Sequence, residues 1–225
     1  MKRTLDLITP EQRDRIAAAV AAAESKTSAE IVPVVAALSG RYDRSEDLVG
    51  ILTGLVCLSL AWAVFPLVPA EFGSWDAVKS AYELPLLLGA FLAGYMVAVT
   101  MAARWPRLHR FFTPRAQMRE ETTARARQVF FDNRVYRTAA GTGVLLYLSL
   151  YERTAVVLAG DPVMEKLGQE AIDEVCAELT SALRAGDLAE ALCATLEDMG
   201  ERLGRVLPRA EGDVNELPNT LVLMK

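Results

Sequence analysis

Two stretches of the chain carry no charge: VGILTGLVCLSLAWAVFPLV at 49–68 and LPLLLGAFLAGYMVAVTMAA at 84–103. As a helix rising about 1.5 Å per residue, each is long enough to cross a hydrocarbon core of about 30 Å. Buried core helices are usually shorter and keep a polar face, which neither run has. The pattern predicts two membrane spans. Pro66 and Pro69 close the first, and Pro85 falls in the first turn of the second, where a missing N–H costs little. The short connection AEFGSWDAVKSAYE holds Trp75 and Tyr82, residues suited to a membrane interface. The spans therefore form a helical hairpin. Gly50-x-x-x-Gly54 and Gly89-x-x-x-Ala93 permit close helix approach. Packing of the hairpin on itself is the simpler use of them, a homodimer the other.

The flanking patterns belong to a water-soluble domain. Thr9-Pro10-Glu11-Gln12 starts a helix, with Thr9 as N-cap, Pro10 at N1 and Gln12 completing a capping box. Glu30 to Leu38 reads as a strand, and Pro33 inside it predicts a sheet edge or a bulge. After the hairpin, RAQMREETTARARQVFFDNRVYR is helical. GVLLYLSL (143–150) and TAVVLAG (154–160) are strands whose short Tyr151-Glu152-Arg153 connection makes them antiparallel. Two helices follow, at about 162–184 and 187–206, and the tail is expected to be irregular.

The division expected is thus 1–47 for the first part of the domain and 48–103 for the hairpin. Residues 104–206 complete the domain and 207–225 form the tail. Neither soluble part is large enough to bury a core alone, so the two combine. The fold class is α/β, a small central mixed β-sheet covered by helices and interrupted by a two-helix transmembrane hairpin.

Charge sets the orientation. Arg41 and Arg44 precede the first span, and Arg104, Arg107, Arg110 and Arg115 follow the second, whereas the connection holds only Lys79 beside three acids. Basic flanks stay on the cytoplasmic side. Both termini are therefore expected in the cytoplasm, at the inner (plasma) membrane, with the four arginines after the second span at the membrane surface. The N-terminus has no apolar run after its basic residues and is not expected to be a signal peptide. No ionisable residue lies within either span, which disfavours transport. The net charge of −5 and pI near 5.1 argue against a nucleic-acid partner. The expected partners are the lipid bilayer and other membrane proteins.

Catalytic signatures are sparse. The three cysteines form no CxxC pair, and the single histidine, His109, sits in WPRLHRFF beside the second span. HExxH zinc chemistry is excluded, and neither a GxxxxGK[ST] loop nor an aspartate DxD pair is present. No catalytic residue is assigned.

The order of elements resembles the TPM domain family. The residues that carry the resemblance are Ala29-Glu30-Ile31-Val32, Thr142-Gly143-Val144-Leu145-Leu146 with Glu152-Arg153, and Gly186-Asp187-Leu188-Ala189-Glu190-Ala191-Leu192. A bacterial membrane subgroup with an inserted hairpin is most similar, including a terminal NELP segment, here Asn215-Glu216-Leu217-Pro218. The chain departs from the family pattern at Thr142, where Asn is usual, and in AGDPVMEKLG, where a glycine-rich loop is usual. Many relatives also display the domain outside the cell. The resemblance implies a small sheet covered by helices and a role in assembling or maintaining membrane complexes. It also implies an alternative, a metal-dependent acid-phosphatase-like hydrolase using scattered carboxylates. Calcium or another divalent cation is then the candidate cofactor.

Such a hard cation needs several converging oxygens. The candidate ligands are Glu30, Glu152, Asp161 and Asp187, and three have a simpler reading. Asp161 before Pro162 suits an N-cap, Gly186-Asp187-x-x-Glu190 a helix stop followed by a capping box, and Glu152 an exposed turn. Glu30 is harder to dismiss, because acids are depleted in strands. The leading expectation is a non-catalytic interaction or assembly module.

Overall fold

The structure is a computed structural model that describes residues 8–40, 43–64, 77–104 and 114–224. Its elements in chain order are α1 (Pro10–Glu24), β1 (Glu30–Ala36), α2 (Asp43–Val64), α3 (Ala77–Arg104), α4 (Arg115–Asp132), a 3-10 turn (Val135–Arg137), β2 (Gly143–Ser149), β3 (Thr154–Ala159), α5 (Asp161–Leu167), α6 (Gln169–Ala185), α7 (Leu188–Val206) and β4 (Val222–Met224). They form two compact units, residues 1–40 with 118–225 and residues 41–117.

The first unit is built on a four-stranded sheet of order β3-β2-β1-β4. β1 pairs parallel with β2 and with β4, while β2 and β3 are antiparallel. The sheet is mixed, as the sequence predicts. Every residue of β1 and β2 is buried, because helices cover both faces. Ile31, Val35, Leu146 and Leu148 face a core closed by α1, α5, α6 and α7. Val32, Val34, Leu145 and Tyr147 face the other way, onto Ala126 and Val129 of α4.

Local chemistry sets the helix ends. Thr9 and Gln12 form the reciprocal capping box, with Thr9 N–H donating to Gln12 Oε1 at 2.9 Å. The helix expected at 162–184 is two helices, broken at Gly168, whose φ of +81° is a left-handed value that glycine alone adopts without strain. Asp161 is the first residue of α5, and Gly160 is its N-cap.

β1 is an internal strand without a bulge, so Pro33 needs another explanation. Glu30 N–H points at Thr142 of the β2 side, and Ala37 N–H at Met224 of the β4 side. By alternation Pro33 faces the β4 side, where pairing begins only at Val34. Its missing donor therefore costs no ladder bond. The tail expected to be irregular supplies that edge: Val222–Met224 adds the fourth strand, because LVLM is the apolar end of an otherwise polar segment.

Among the described residues the second unit holds α2 and α3, each long and apolar enough to cross a membrane, over Asp47–Val64 and Leu84–Met101. Leu60, Val64, Leu84 and Val97 are each 59–68% exposed, a large apolar surface of the kind that marks an interaction site. The helices meet through small residues. Gly50 lies against Tyr95 and Val99, Gly54 against Phe91, and Gly94 against Cys57. Gly89 meets nothing within 4 Å, so the second small-residue motif lies off this contact. α3 begins at Ala77, which puts Pro85 inside the helix and not in its first turn. Pro66, Pro69 and Trp75 lie outside the described residues, as do Arg41, Trp105, Arg107, His109, Arg110, Phe111 and Phe112.

Candidate functional site

Carboxylates are the only candidates for chemistry that the sequence offers, and the structure separates them. Glu30 opens β1 and is buried, 7% exposed. Its two oxygens accept Glu216 N–H at 3.1 Å and Leu217 N–H at 3.3 Å. The carboxylate thus caps the NELP segment as the tail crosses the start of the sheet. Glu216 in turn accepts Ala139 N–H, at 2.8 Å through its nearer oxygen.

Beside Glu30 stands a residue the sequence reading overlooked. Glu24 ends α1, is 9% exposed, and accepts Ile31 N–H at 2.9 Å through Oε1. Its Oε2 is buried with no hydrogen-bond partner; Asn219 lies close to the carboxyl, short of hydrogen-bond geometry at that atom. Burial, opposed by the Ile31 N–H and reinforced by the Glu30 charge, pushes Glu24 up to about 7. Burial also raises Glu30, against the two backbone donors that lower it and with the charges of Glu216 and Asp213. The signal for this pair was the spacing Glu24-x5-Glu30 across a helix-to-strand turn. A glutamate on the last turn of an alanine-rich helix otherwise looks like an ordinary surface residue.

Glu152 lies at the other end of the sheet. Seven residues of strand at about 3.3 Å each put it on the order of 20 Å from Glu30. The expectation of an exposed turn fails here: Glu152 is 5% exposed. Its Oε1 accepts Ser39 N–H at 2.9 Å and Gly40 N–H at 3.2 Å, and Oε2 accepts the Ser149 hydroxyl. Ser39 also hydrogen-bonds the buried Tyr147 hydroxyl at 2.9 Å. This network fixes the chain at Gly40, the last residue of the first unit before the hairpin unit begins.

Asp161 shares the Glu30 end of the sheet but is exposed, following β3 two strands away. Asp187 is the N-cap of α7, accepting Ala189 N–H at 3.4 Å and Gln12 Nε2–H at 3.0 Å. Its partner Gln12 is in the first turn of α1, a 15-residue helix whose last residue is Glu24. The structure brings Glu30 to Glu24, and not to Glu152 or Asp187. Among the described residues no three His, Cys, Asp or Glu side chains are grouped to hold a metal ion. Of the arginines expected at the membrane surface, Arg115 is exposed at the start of α4 and Arg104 ends α3.

Residues 111–202 match the model of the TPM domain. Among solved structures, the chain is similar to the NMR structure of BA42 protein from the psychrophilic bacterium Bizionia argentinensis. The two are 16% identical over 99% of each chain, with a TM-score of 0.58. At that identity the likeness is one of fold. No curated protein matches the chain.

Proposed function

From the match of residues 111–202 to the TPM domain, we propose that this chain is a two-span membrane protein using that domain as a non-catalytic interaction or assembly module. The observation that carries the proposal is how the buried carboxylates are engaged. Glu30 holds the tail through two backbone N–H groups, and Glu152 holds the exit toward the hairpin through two more. Oxygens committed to backbone donors shape a surface; they are poorly placed to accept a cation or a proton from substrate. The uncharged spans and their basic flanks support placement in the inner (plasma) membrane with the domain in the cytoplasm. Its partners in this reading are other membrane proteins, with a homodimer as one form.

One observation favours the alternative of an acid-phosphatase-like hydrolase. Glu24 is a buried carboxyl raised to about 7 with an unpartnered oxygen beside Glu30, and perturbed carboxyl pairs concentrate at functional sites. Hydrolysis of a generic phosphomonoester by the detergent-purified chain, with calcium, magnesium or manganese, separates the readings. The module reading expects no turnover above that of a Glu24→Gln/Glu30→Gln double variant. Metal-dependent turnover that disappears in that variant overturns it.

A further inference from the structure

The two faces of the sheet carry opposite charge. α4 and the 3-10 turn that follows it, Arg115 to Arg137, hold six arginines against three acids. α6 and α7, on the other side of the sheet, hold eight acids against three arginines. The acidic face is partly self-neutralised, since Arg202 pairs with Glu174, Glu178 and Asp198. Among the described residues no ion pair engages Arg127, Arg134 or Arg137, and all three are exposed.

The basic face ends in an aromatic corner. Phe131 is 60% and Tyr136 44% exposed, with ring centroids 5.3 Å apart. Phe130 meets Phe131 edge-on at 6.0 Å. The fold displays this pair on purpose-built backbone: Arg134 sits between them in a left-handed conformation, φ +55°, which turns the chain sharply enough to bring Tyr136 back against Phe131. Asp132 and Glu216, whose carboxylate is taken by Ala139 N–H, are the acids near this corner in the chain or by contact. Large exposed aromatics beside unpaired arginines are costly in water and suited to a surface that is apolar below and anionic above.

We propose that the Phe131–Tyr136 corner, with Arg127, Arg134 and Arg137, docks the domain onto the anionic headgroup layer of the membrane that the hairpin crosses. The inference rests on the two-span reading. Charge complementarity selects lipid: the basic face is drawn to an anionic leaflet while the acidic α6–α7 face is repelled by it. Chain length permits it, since ten residues separate α3 from α4, a reach of at most about 36 Å. The acidic face is then left pointing away from the bilayer.

The test uses the full chain, with Cys57, Cys176 and Cys193 changed to alanine, in nanodiscs. A bimane fluorophore is attached at Asn133→Cys beside the corner, or at Glu197→Cys on the acidic face. Quenching by a headgroup-nitroxide lipid is compared in phosphatidylcholine alone and in phosphatidylcholine with phosphatidylglycerol. Strong quenching at 133 in the anionic discs, absent at 197, is expected. An Arg134→Glu/Arg137→Glu variant should lower the docked fraction about tenfold or more, with far-ultraviolet circular dichroism confirming the fold. An aqueous probe at 133 in both lipids overturns the lipid assignment and leaves the corner to a protein partner; so does equal quenching at 133 and 197. Failure of the protein to enter discs at all instead strikes the two-span reading.

Discussion

Removing the Glu152 carboxylate should release the point where the domain hands the chain to the hairpin. In Glu152→Ala, three hydrogen bonds to one carboxylate are lost, from Ser39 N–H, Gly40 N–H and the Ser149 hydroxyl. Hydrogen bonds to a charged group contribute about 1.5–3 kcal/mol each, and Gly40 is buried, so its orphaned N–H pays most of its desolvation. Water reaching the half-buried Ser39 offsets part of this, leaving a loss of about 3–5 kcal/mol. Glu152→Gln keeps an oxygen for both N–H groups and loses only the charge, for about 1–2 kcal/mol. The assay is amide hydrogen exchange of the full chain in nanodiscs, read at Ser39 and Gly40. At 1.4 kcal/mol per tenfold, the alanine variant should exchange there about two to three orders of magnitude faster. The glutamine variant should stay within about thirtyfold of the parent. Parent-like protection in the alanine variant would refute the reasoning, because the amides would then be held by something other than Glu152.

Other outcomes follow from the same geometry. Gly143→Ala places a Cβ 1.8 Å from the Val135 carbonyl oxygen and should destabilise the domain by about 3 kcal/mol or more, read by thermal unfolding. Gly54→Leu forces side-chain atoms into Phe91, where even a Cβ would stand 2.8 Å from the ring. It should open the hairpin in a cysteine cross-linking assay, whereas Gly89→Leu, with open space around it, should not. Glu24 is raised from 4.5 to about 7 in the folded state, so folding is favoured by its protonation. That contribution is complete below pH 4.5 and is lost as pH rises through about 7. Glu24→Gln should flatten the fall in stability across this window, and an unchanged pH profile would show that Glu24 does not titrate there.

Much of this was legible in the sequence because it is local or periodic. The capping box at Thr9, the uncharged spans and the strand pair around Tyr151-Glu152-Arg153 each declare themselves within a few residues. What was not legible depends on pairings distant in sequence. Glu152 read as exposed because its neighbours are turn residues, and only the arrival of Ser39 and Gly40 from more than a hundred positions away buries it. Glu24 was invisible for the same reason, since its burial is completed by a tail nearly two hundred residues later. That tail looked irregular because three strand residues give no period to detect, and β4 exists only by pairing with β1. Pro33 misdirected for a subtler cause: it marks the side of a strand, not the rank of the strand in the sheet.

Membrane topology tests the central claim most directly. In intact cells, with the three native cysteines changed to alanine, single cysteines would be placed at Ser74 in the connection and at Ala210 in the tail. Each would be challenged with a membrane-impermeant maleimide before and after permeabilisation. The account predicts that position 74 labels from outside and that position 210 labels only after permeabilisation. Labelling of 210 from outside would place the domain on the wrong side, and extraction of the protein by alkaline carbonate would contradict two-span insertion itself.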